Sequence, residues 1–213
     1  MENFLTIGGK RYRQTITPVE RNKRKVFISA GHGPNASGEE WGAYNPGVKI
    51  SEYTLNLLGA HTTVDDLKEA PNLIPTFYDD PNTLWGTGKA SQGHDIAIEV
   101  HHNAANGVAQ GVEGWSHKTH GDPMDIKLLE FICAEISHEI GIPNRGVKQA
   151  NFGFLSGAEA VEHHKDTNAS GLIEFYFMDA ENDRAKMLDM TKRAGHAMAR
   201  GIIKFDEYME KQK

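Results

Sequence analysis

Asp95-Ile-Ala-Ile-Glu-Val-His-His-Asn-Ala104 is the stretch that decides the fold, because it reads as a sheet strand that ends in histidines. Every second residue is a large apolar one: Ile96, Ile98 and Val100. This alternation is the two-residue period of a strand with two unlike faces. A strand that ends in His101 and His102 can hold a metal ion at the rim of a sheet. The alternative is a strand that ends in a solvated loop, and one histidine pair does not decide between them.

Composition limits the classes of protein to which the chain can belong. Its 213 residues suit one domain, or one domain with a small appendage, and 38% hydrophobic residues can build a core. The net charge of −6 argues against a nucleic-acid partner. No apolar run reaches membrane-spanning length, so we expect no membrane partner, and the N-terminus lacks the pattern of a signal peptide. The oligomeric state stays open.

The chain divides into an N-terminal arm, residues 1–24, and a main domain, residues 25–213. In the arm, Gly8-Gly9 suits the tight turn of a small hairpin. In the main domain, strand patterns alternate with helical ones, which predicts an α/β fold with a mainly parallel sheet and right-handed crossovers. Residues 79–94 read as a loop with at most one helical turn. Residues 152–155 read as strand-like, and residues 157–170 as a polar loop.

The predicted helices have recognisable ends. Ser51 is expected to cap a helix that runs from residue 52 to 70, and Asp122-Pro123 is expected to start a second helix that stops at Gly141. The last helix is expected to begin at Asp179 and to run to about residue 211. Among the predicted strands, residues 73–78 are assigned to an edge of the sheet because Pro75 cannot donate a ladder hydrogen bond.

Four ionisable residues lie where such a fold places functional sites, beyond the carboxyl ends of the strands. His32 follows the strand of residues 26–30, Glu52 opens the next helix, and His101 ends the opening strand. Two histidines and a carboxylate form a known catalytic zinc set that leaves one position open for water. Glu174 interrupts the apolar strand 172–177, where an unpaired carboxylate is costly, so it has either a partner or a function. For Glu52, a first-turn acid that only complements the helix dipole is the competing explanation.

The chain resembles the catalytic domain of zinc-dependent N-acetylmuramoyl-L-alanine amidases, a family that includes many phage endolysins. Five segments carry the resemblance in the family's order: Ser29–Gly33, Glu52–Asn56, Asp95–Ala104, Asn144–Lys148, and Leu172–Phe177 with Asn182-Asp183 after it. Together they span roughly residues 25–205, nearly the whole chain.

This resemblance implies one Zn²⁺ bound by His32, Glu52 and His101, with Glu174 as the catalytic acid and base. It also implies a mixed sheet of about six strands with helices on both faces. The expected reaction is hydrolysis of the amide between N-acetylmuramic acid and the L-alanine of the peptidoglycan stem peptide. An endolysin of this kind would wait in the host cytoplasm before its release to the cell wall.

Residues that contact the substrate are less sharply indicated. Strand alternation sends the side chains of neighbouring residues to opposite faces, so the register of the motif assigns the metal to His101 and leaves His102 to line the groove. We therefore expect His102, Asn103 and Arg145 to bind substrate. The pair His163-His164 is a further candidate for the border of the groove.

The sequence departs from the family pattern at three places. Ser29 and Ala30 stand where an acid and a proline often precede Gly-His-Gly, which affects a contact behind the metal ligands. Residues 76–78 replace the usual Thr-Arg, and a glycine-rich loop is expected in place of the helix before Asp95. Two alternative functions remain open: a zinc peptidase or other amide hydrolase on this scaffold, and a catalytically silent wall-binding or phage structural module.

Overall fold

The computed structural model describes residues 4–7, 10–13, 22–35, 38–79, 83–159 and 169–212. His163-His164 lies outside the described residues. The helices are α1 (Glu52–Lys68), α2 (Leu84–Ala90), α3 (Pro123–Ile140), α4 (Gly153–Ala158) and α5 (Arg184–Glu210), with a short 3₁₀ helix at Met178–Ala180. Among the described residues, no helix is both long enough and apolar enough to cross a bilayer.

Six strands form the central sheet: β3 (Arg24–Ala30), β8 (Leu73–Tyr78), β9 (Ile96–Asn103), β10 (Val112–His117), β11 (Asn144–Ala150) and β12 (Ala169–Phe177). Their order is β11-β10-β12-β9-β3-β8. All neighbouring pairs are parallel except β10 and β12. The predicted mixed, mainly parallel sheet of about six strands is therefore confirmed.

Short antiparallel pairs lie outside this sheet: β1 (Phe4–Ile7) with β2 (Lys10–Arg13), β4 (Gly33–Asn35) with β5 (Gly38–Glu40), and β6 (Tyr44–Asn45) with β7 (Ile50–Ser51). The first pair lies within the predicted N-terminal arm. Strand β3 begins at Arg24, one residue before the predicted main domain, and the division of the chain at this point stays a prediction.

Alternate residues along each strand point to opposite faces of the sheet, and both faces are buried. Val26, Ile28 and Ile98 belong to a large core that also contains the apolar residues of α1, α3 and α5. Phe27 and Leu172 point the other way and pack in a smaller core with Phe154 and Leu155 of α4. Helix α4 contacts β10 and β12 on the side of this smaller core, and α2 packs against α4, so the sheet has helices on both faces, as expected.

Local sequence signals placed the two best-defined helices correctly. Ser51 caps α1 by accepting a hydrogen bond from the Thr54 backbone N–H. Asp122 and Asp125 form a capping box at the start of α3, which ends where Gly141 adopts φ 70°. Strand β8, which contains Pro75, is an edge of the sheet as predicted.

Three expectations were wrong. Residues 84–90 form α2 instead of a loop, and residues 153–158 form α4 instead of a strand followed by a loop. Neither short segment has a clear helical period, and each is stabilised by the other across a glycine contact. The last helix begins at Arg184 with Asp183 as its cap. Asp179 cannot cap it, because its carboxylate accepts hydrogen bonds from the backbones of Ala105 and Gly107.

The contact between α2 and α4 depends on glycine. A Cβ on Gly157 would lie 2.0 Å from the carbonyl oxygen of Trp85, and a Cβ on Gly88 would lie 2.0 Å from that of Phe154. These atoms belong to the facing backbone, so a methyl group forces the helices apart. We expect Gly157→Ala to lower the free energy of unfolding by about 1–3 kcal/mol, as overpacking does. Urea denaturation measures this, and Lys89→Ala, on the exposed side of α2, is the control expected to be near neutral.

Asp125 makes stability depend on pH. Burial raises the pKa of Asp125 from 3.8 to about 7. The hydrogen bonds from the backbone N–H groups of Ser170 and Asp122 act to lower this pKa but do not offset the effect of burial. Because the folded protein then binds the proton more tightly than the unfolded chain, this contribution is present at low pH and is lost as pH rises from about 4 to about 7. Between about pH 4 and about pH 7, the free energy of unfolding of the wild type should therefore fall relative to that of Asp125→Asn.

Urea denaturation of both proteins at several pH values measures the difference. The paired comparison removes contributions that the proteins share, such as that of His102, whose pKa burial lowers to about 3 and whose pH dependence has the opposite sign. Parallel stability profiles for the two proteins would show that folding does not raise the pKa of Asp125.

Candidate active site

Ionisable side chains form a row across three adjacent strands near the carboxyl end of β9. His101 on β9 is aligned with Glu174 on β12, and Glu174 is aligned with Glu113 on β10. Directly aligned residues point to the same face of a sheet, here the face that carries α2 and α4. The sheet register thus brings together residues that are far apart in the sequence.

His32 and Glu52 complete a cluster with His101. Glu52 Oε1 lies 2.9 Å from His101 Nδ1, and Glu52 Oε2 lies 3.2 Å from His32 Nε2. The three residues each offer one ligand atom, and these atoms lie within 4.8 Å of one another. Two imidazoles and a carboxylate converging in this way fit the donor set of a catalytic zinc ion.

Glycines allow the cluster to close. A Cβ on Gly31 would lie 2.0 Å from the His101 ring, and a Cβ on Gly42 would lie 2.5 Å from Glu52 Oε2. His32 itself has φ 65°, a left-handed conformation that is costly for a residue with a side chain. The loop that contains His32 is held by the Asn56 side chain, which donates a hydrogen bond to the Gly31 carbonyl at 2.9 Å.

The charges within the cluster stabilise one another. Burial acts to raise the pKa of Glu52, but the hydrogen bonds with His101 and His32 outweigh it and hold that pKa well below its usual value. Burial acts to lower the pKa of His101, and the carboxylates of Glu52 and Glu99 overcome it, so this pKa is raised. Glu52 is therefore anionic at the point where the two imidazoles meet, as a metal ligand must be.

Glu174 is the carboxylate beside the cluster. Burial raises the pKa of Glu174 to about 7, His101 acts to lower it, and the carboxylates of Glu52 and Glu113 add to the rise. Its Oε2 is buried without a hydrogen-bond partner among the described residues. A carboxyl group that exchanges a proton near neutral pH and has a free oxygen is suited to general acid–base catalysis.

His102 points away from the cluster, into the large core. It is 1% exposed. Its Nδ1 donates to Asn56 Oδ1 at 2.8 Å, because the amide nitrogen of Asn56 already donates to Gly31, and its Nε2 lies 3.3 Å from Thr191 Oγ1. These contacts favour a role in supporting the His32 loop through Asn56. Contact between His102 and substrate stays a prediction.

Asn103 and Arg145 meet at Glu113, which the sequence analysis did not single out. The Glu113 carboxylate is buried and accepts hydrogen bonds from Asn103 Nδ2 at 2.8 Å, Arg145 Nε at 2.5 Å and Lys148 Nζ at 2.6 Å. Burial acts to raise the pKa of Glu113, and the Lys148 and Arg145 cations lower it below its usual value. Strand alternation alone could have placed Glu113 and Glu99 on the functional face, as acids within apolar strands.

An open groove runs past these residues. It is lined by His32, Glu52, His101, Asn103, Phe152 and Glu174, among others. Leu84 of α2 and Phe152, the residue before α4, form one border of the groove.

Several solved amidase structures share this fold. An N-acetylmuramoyl-L-alanine amidase from Clostridium difficile 630 matches with a TM-score of 0.72 and 20% identity, over 87% of this chain and 98% of that one. The catalytic domain of the amidase CwlV from Bacillus (Paenibacillus) polymyxa var. colistinus matches with a TM-score of 0.67 and 22% identity, over 88% and 98%. At these identities the likeness establishes the fold.

A third solved structure is the catalytic domain of an endolysin targeting Clostridia difficile, with a TM-score of 0.64 and 21% identity over 85% of this chain and 97% of that one. A comparison with curated protein sequences found no significant match. The family model for N-acetylmuramoyl-L-alanine amidase matches residues 26–204. Because that match covers most of the chain, the protein belongs to the N-acetylmuramoyl-L-alanine amidase family and is a peptidoglycan amidase.

Proposed function

We propose that the protein is a zinc-dependent amidase in which His32, Glu52 and His101 bind one Zn²⁺ and Glu174 is the catalytic acid and base. The observation that carries the proposal is the convergence of three ligand atoms within 4.8 Å, beside a buried carboxylate with an unpaired oxygen. The bond cleaved is the amide between the lactyl group of N-acetylmuramic acid and the L-alanine of the stem peptide.

The metal ion and Glu174 have separate roles in the proposed reaction. Zinc at this point would supply Lewis-acid activation of the attacking water and of the scissile carbonyl. Glu174 accepts the proton of the water and then donates it to the leaving amine of L-alanine, so the same carboxyl group ends the cycle as it began. Burial holds the pKa of Glu174 near 7, where both transfers are accessible.

Analysis of the digestion products tests the bond that is cleaved. Purified peptidoglycan treated with the protein should release stem peptides with a free N-terminal L-alanine, without new reducing sugar ends. New reducing ends would indicate a glycosidase, and cleavage inside the stem peptide would indicate the peptidase alternative. Masses of the products from defined muropeptides distinguish these outcomes.

We further propose that Arg145 and Asn103 bind the stem peptide. Arg145 is partly exposed, with 39% of its side chain accessible, while Glu113 holds it in place at the end of the catalytic row. We expect Arg145→Ala to raise KM for soluble muropeptides about tenfold with a smaller change in kcat, because one charge-assisted hydrogen bond is lost. Arg193→Ala, a similarly exposed arginine paired with Glu139 on the helical face, is the matched control. An unchanged KM would remove Arg145 from the binding site.

We propose an endolysin role, supported by the resemblance to an endolysin catalytic domain noted above. The protein would then act from the host cytoplasm once the membrane is breached, on peptidoglycan alone. Expression in a susceptible bacterium should leave culture turbidity stable until chloroform permeabilises the membrane, after which turbidity should fall. Lysis without permeabilisation would contradict this setting but not the amidase activity.

A further inference from the structure

Glu99 is a fully buried carboxylate to which the proposed mechanism gives no role. It lies on β9 two residues before His101 and has 0% exposure. Its Oε2 is 3.0 Å from His101 Nε2, and its Oε1 is buried without a hydrogen-bond partner among the described residues. Burying a carboxylate with so few partners is costly, so the contact with His101 is the feature that explains its position.

The two nitrogens of His101 face different carboxylates. Nδ1 faces Glu52 in the ligand cluster, while Nε2 faces Glu99 on the other side of the ring. A metal-binding imidazole offers one nitrogen as a ligand and donates the N–H of the other, which sets the tautomer and the ring orientation. Here the carboxylate of Glu99 is the acceptor for Nε2–H, so that Nδ1 is the nitrogen that would give up its proton and offer a lone pair to a metal ion in the cluster.

We propose that Glu99 is a positioning residue that sets the tautomer and the orientation of His101 for metal binding. This inference rests on the proposed zinc site. It assigns to Glu99 no contact with the substrate, since its side chain is closed off from solvent behind the His101 ring.

Strand pairing adds an independent observation. Ser29 of β3 is the aligned partner of Glu99, so both side chains are on the same face, and Ser29 Oγ is also buried without a hydrogen-bond partner among the described residues. A carboxylate introduced at Ser29 would therefore lie beside the position that Glu99 occupies.

Zinc affinity and metal-free stability together test the role. Glu99→Met replaces the carboxylate with an apolar chain of similar length. Competition with a chromogenic chelator should show zinc affinity about 10–100-fold weaker, the usual cost of losing a partner behind a ligand. Urea denaturation of the metal-free protein gives the accompanying change in stability, which should be a loss, because the buried His101 ring keeps only one of its two carboxylate partners.

The opposite pattern overturns the inference. If Glu99→Met binds zinc as tightly as the wild type, or if only the stability of the metal-free protein falls, then Glu99 is a packing residue. Glu99→Gln keeps an acceptor oxygen and the shape of the side chain, and it should lie between the wild type and Glu99→Met in zinc affinity. If the methionine variant does not fold, Glu99→Gln alone tests the inference. Zinc binding by Glu99→Gln equal to that of the wild type would then count against it.

Moving the carboxylate between the strands is the sharpest test. Glu99→Ser alone should weaken zinc binding, and adding Ser29→Asp should recover at least about tenfold of the lost affinity. No recovery would mean that a carboxylate on this face is not what His101 requires. A wild-type protein that binds no zinc would defeat the proposed metal site itself, and this result is distinct from tight zinc binding by the Glu99 variants.

Discussion

Glu174→Gln is expected to lower kcat by about 10²–10⁴-fold, the typical contribution of a general acid–base, while zinc binding is retained. Glutamine keeps the size of the side chain in the buried row beside His101 but can neither accept the proton of water nor return it to the amine. Steady-state hydrolysis of a muropeptide gives kcat, and metal analysis of the same preparation should give about one zinc per chain.

The control for this variant is Glu130→Gln, on the exposed surface of α3, which should keep full activity. A Glu174→Gln protein that keeps more than about a tenth of wild-type kcat would remove Glu174 from the catalytic role, since a general acid–base typically contributes at least about 100-fold. A Glu174→Gln protein that loses zinc would make Glu174 part of the metal site instead.

Removal of the metal should abolish activity, and zinc should restore it. The proposed site has three protein ligands, His32, Glu52 and His101, so deleting any one of these side chains leaves only two. We expect His32→Ala to weaken zinc affinity by more than about 100-fold, beyond the usual cost of losing a residue behind a ligand, and to lose turnover with it. Equilibrium competition with a chelator measures the affinity.

His196→Ala is the matched control for His32→Ala, because His196 is a half-exposed histidine on α5 that pairs with the surface residue Asp66. It should bind zinc and turn over substrate as the wild type does. Activity that survives exhaustive chelation would contradict the metal mechanism, while full zinc binding by His32→Ala would remove this histidine from the ligand set.

The approximate secondary structure of the larger elements could be predicted from the sequence because their signals are local. The alternation in β9, the caps of α1 and α3 and the proline in β8 each act within a few residues. Helices α2 and α4 could not be predicted in this way. Each is too short to be stable alone, and their stability comes from a backbone contact through Gly88 and Gly157 that no local pattern encodes.

The candidate site, too, could be predicted from the sequence only in part. Residue types and motif order were enough to nominate His32, Glu52, His101 and Glu174, since each stands at a strand end, a helix start or within an apolar strand. The sequence also favoured His101 over His102, because alternation along a strand sends neighbours to opposite faces. The structure places His101 in the cluster and His102 against Asn56 and Thr191.

By itself, the sequence determined the α/β class, the family and the nominated residues, because these depend on local patterns and on the order of motifs. Only the tertiary structure decided the partners of those residues. The alignment of β9, β12 and β10 set Glu174 and Glu113 beside His101, and the alignment of β3 with β9 set Ser29 beside Glu99. Register between strands depends on packing across the whole sheet, and for that reason neither alignment was apparent from the sequence.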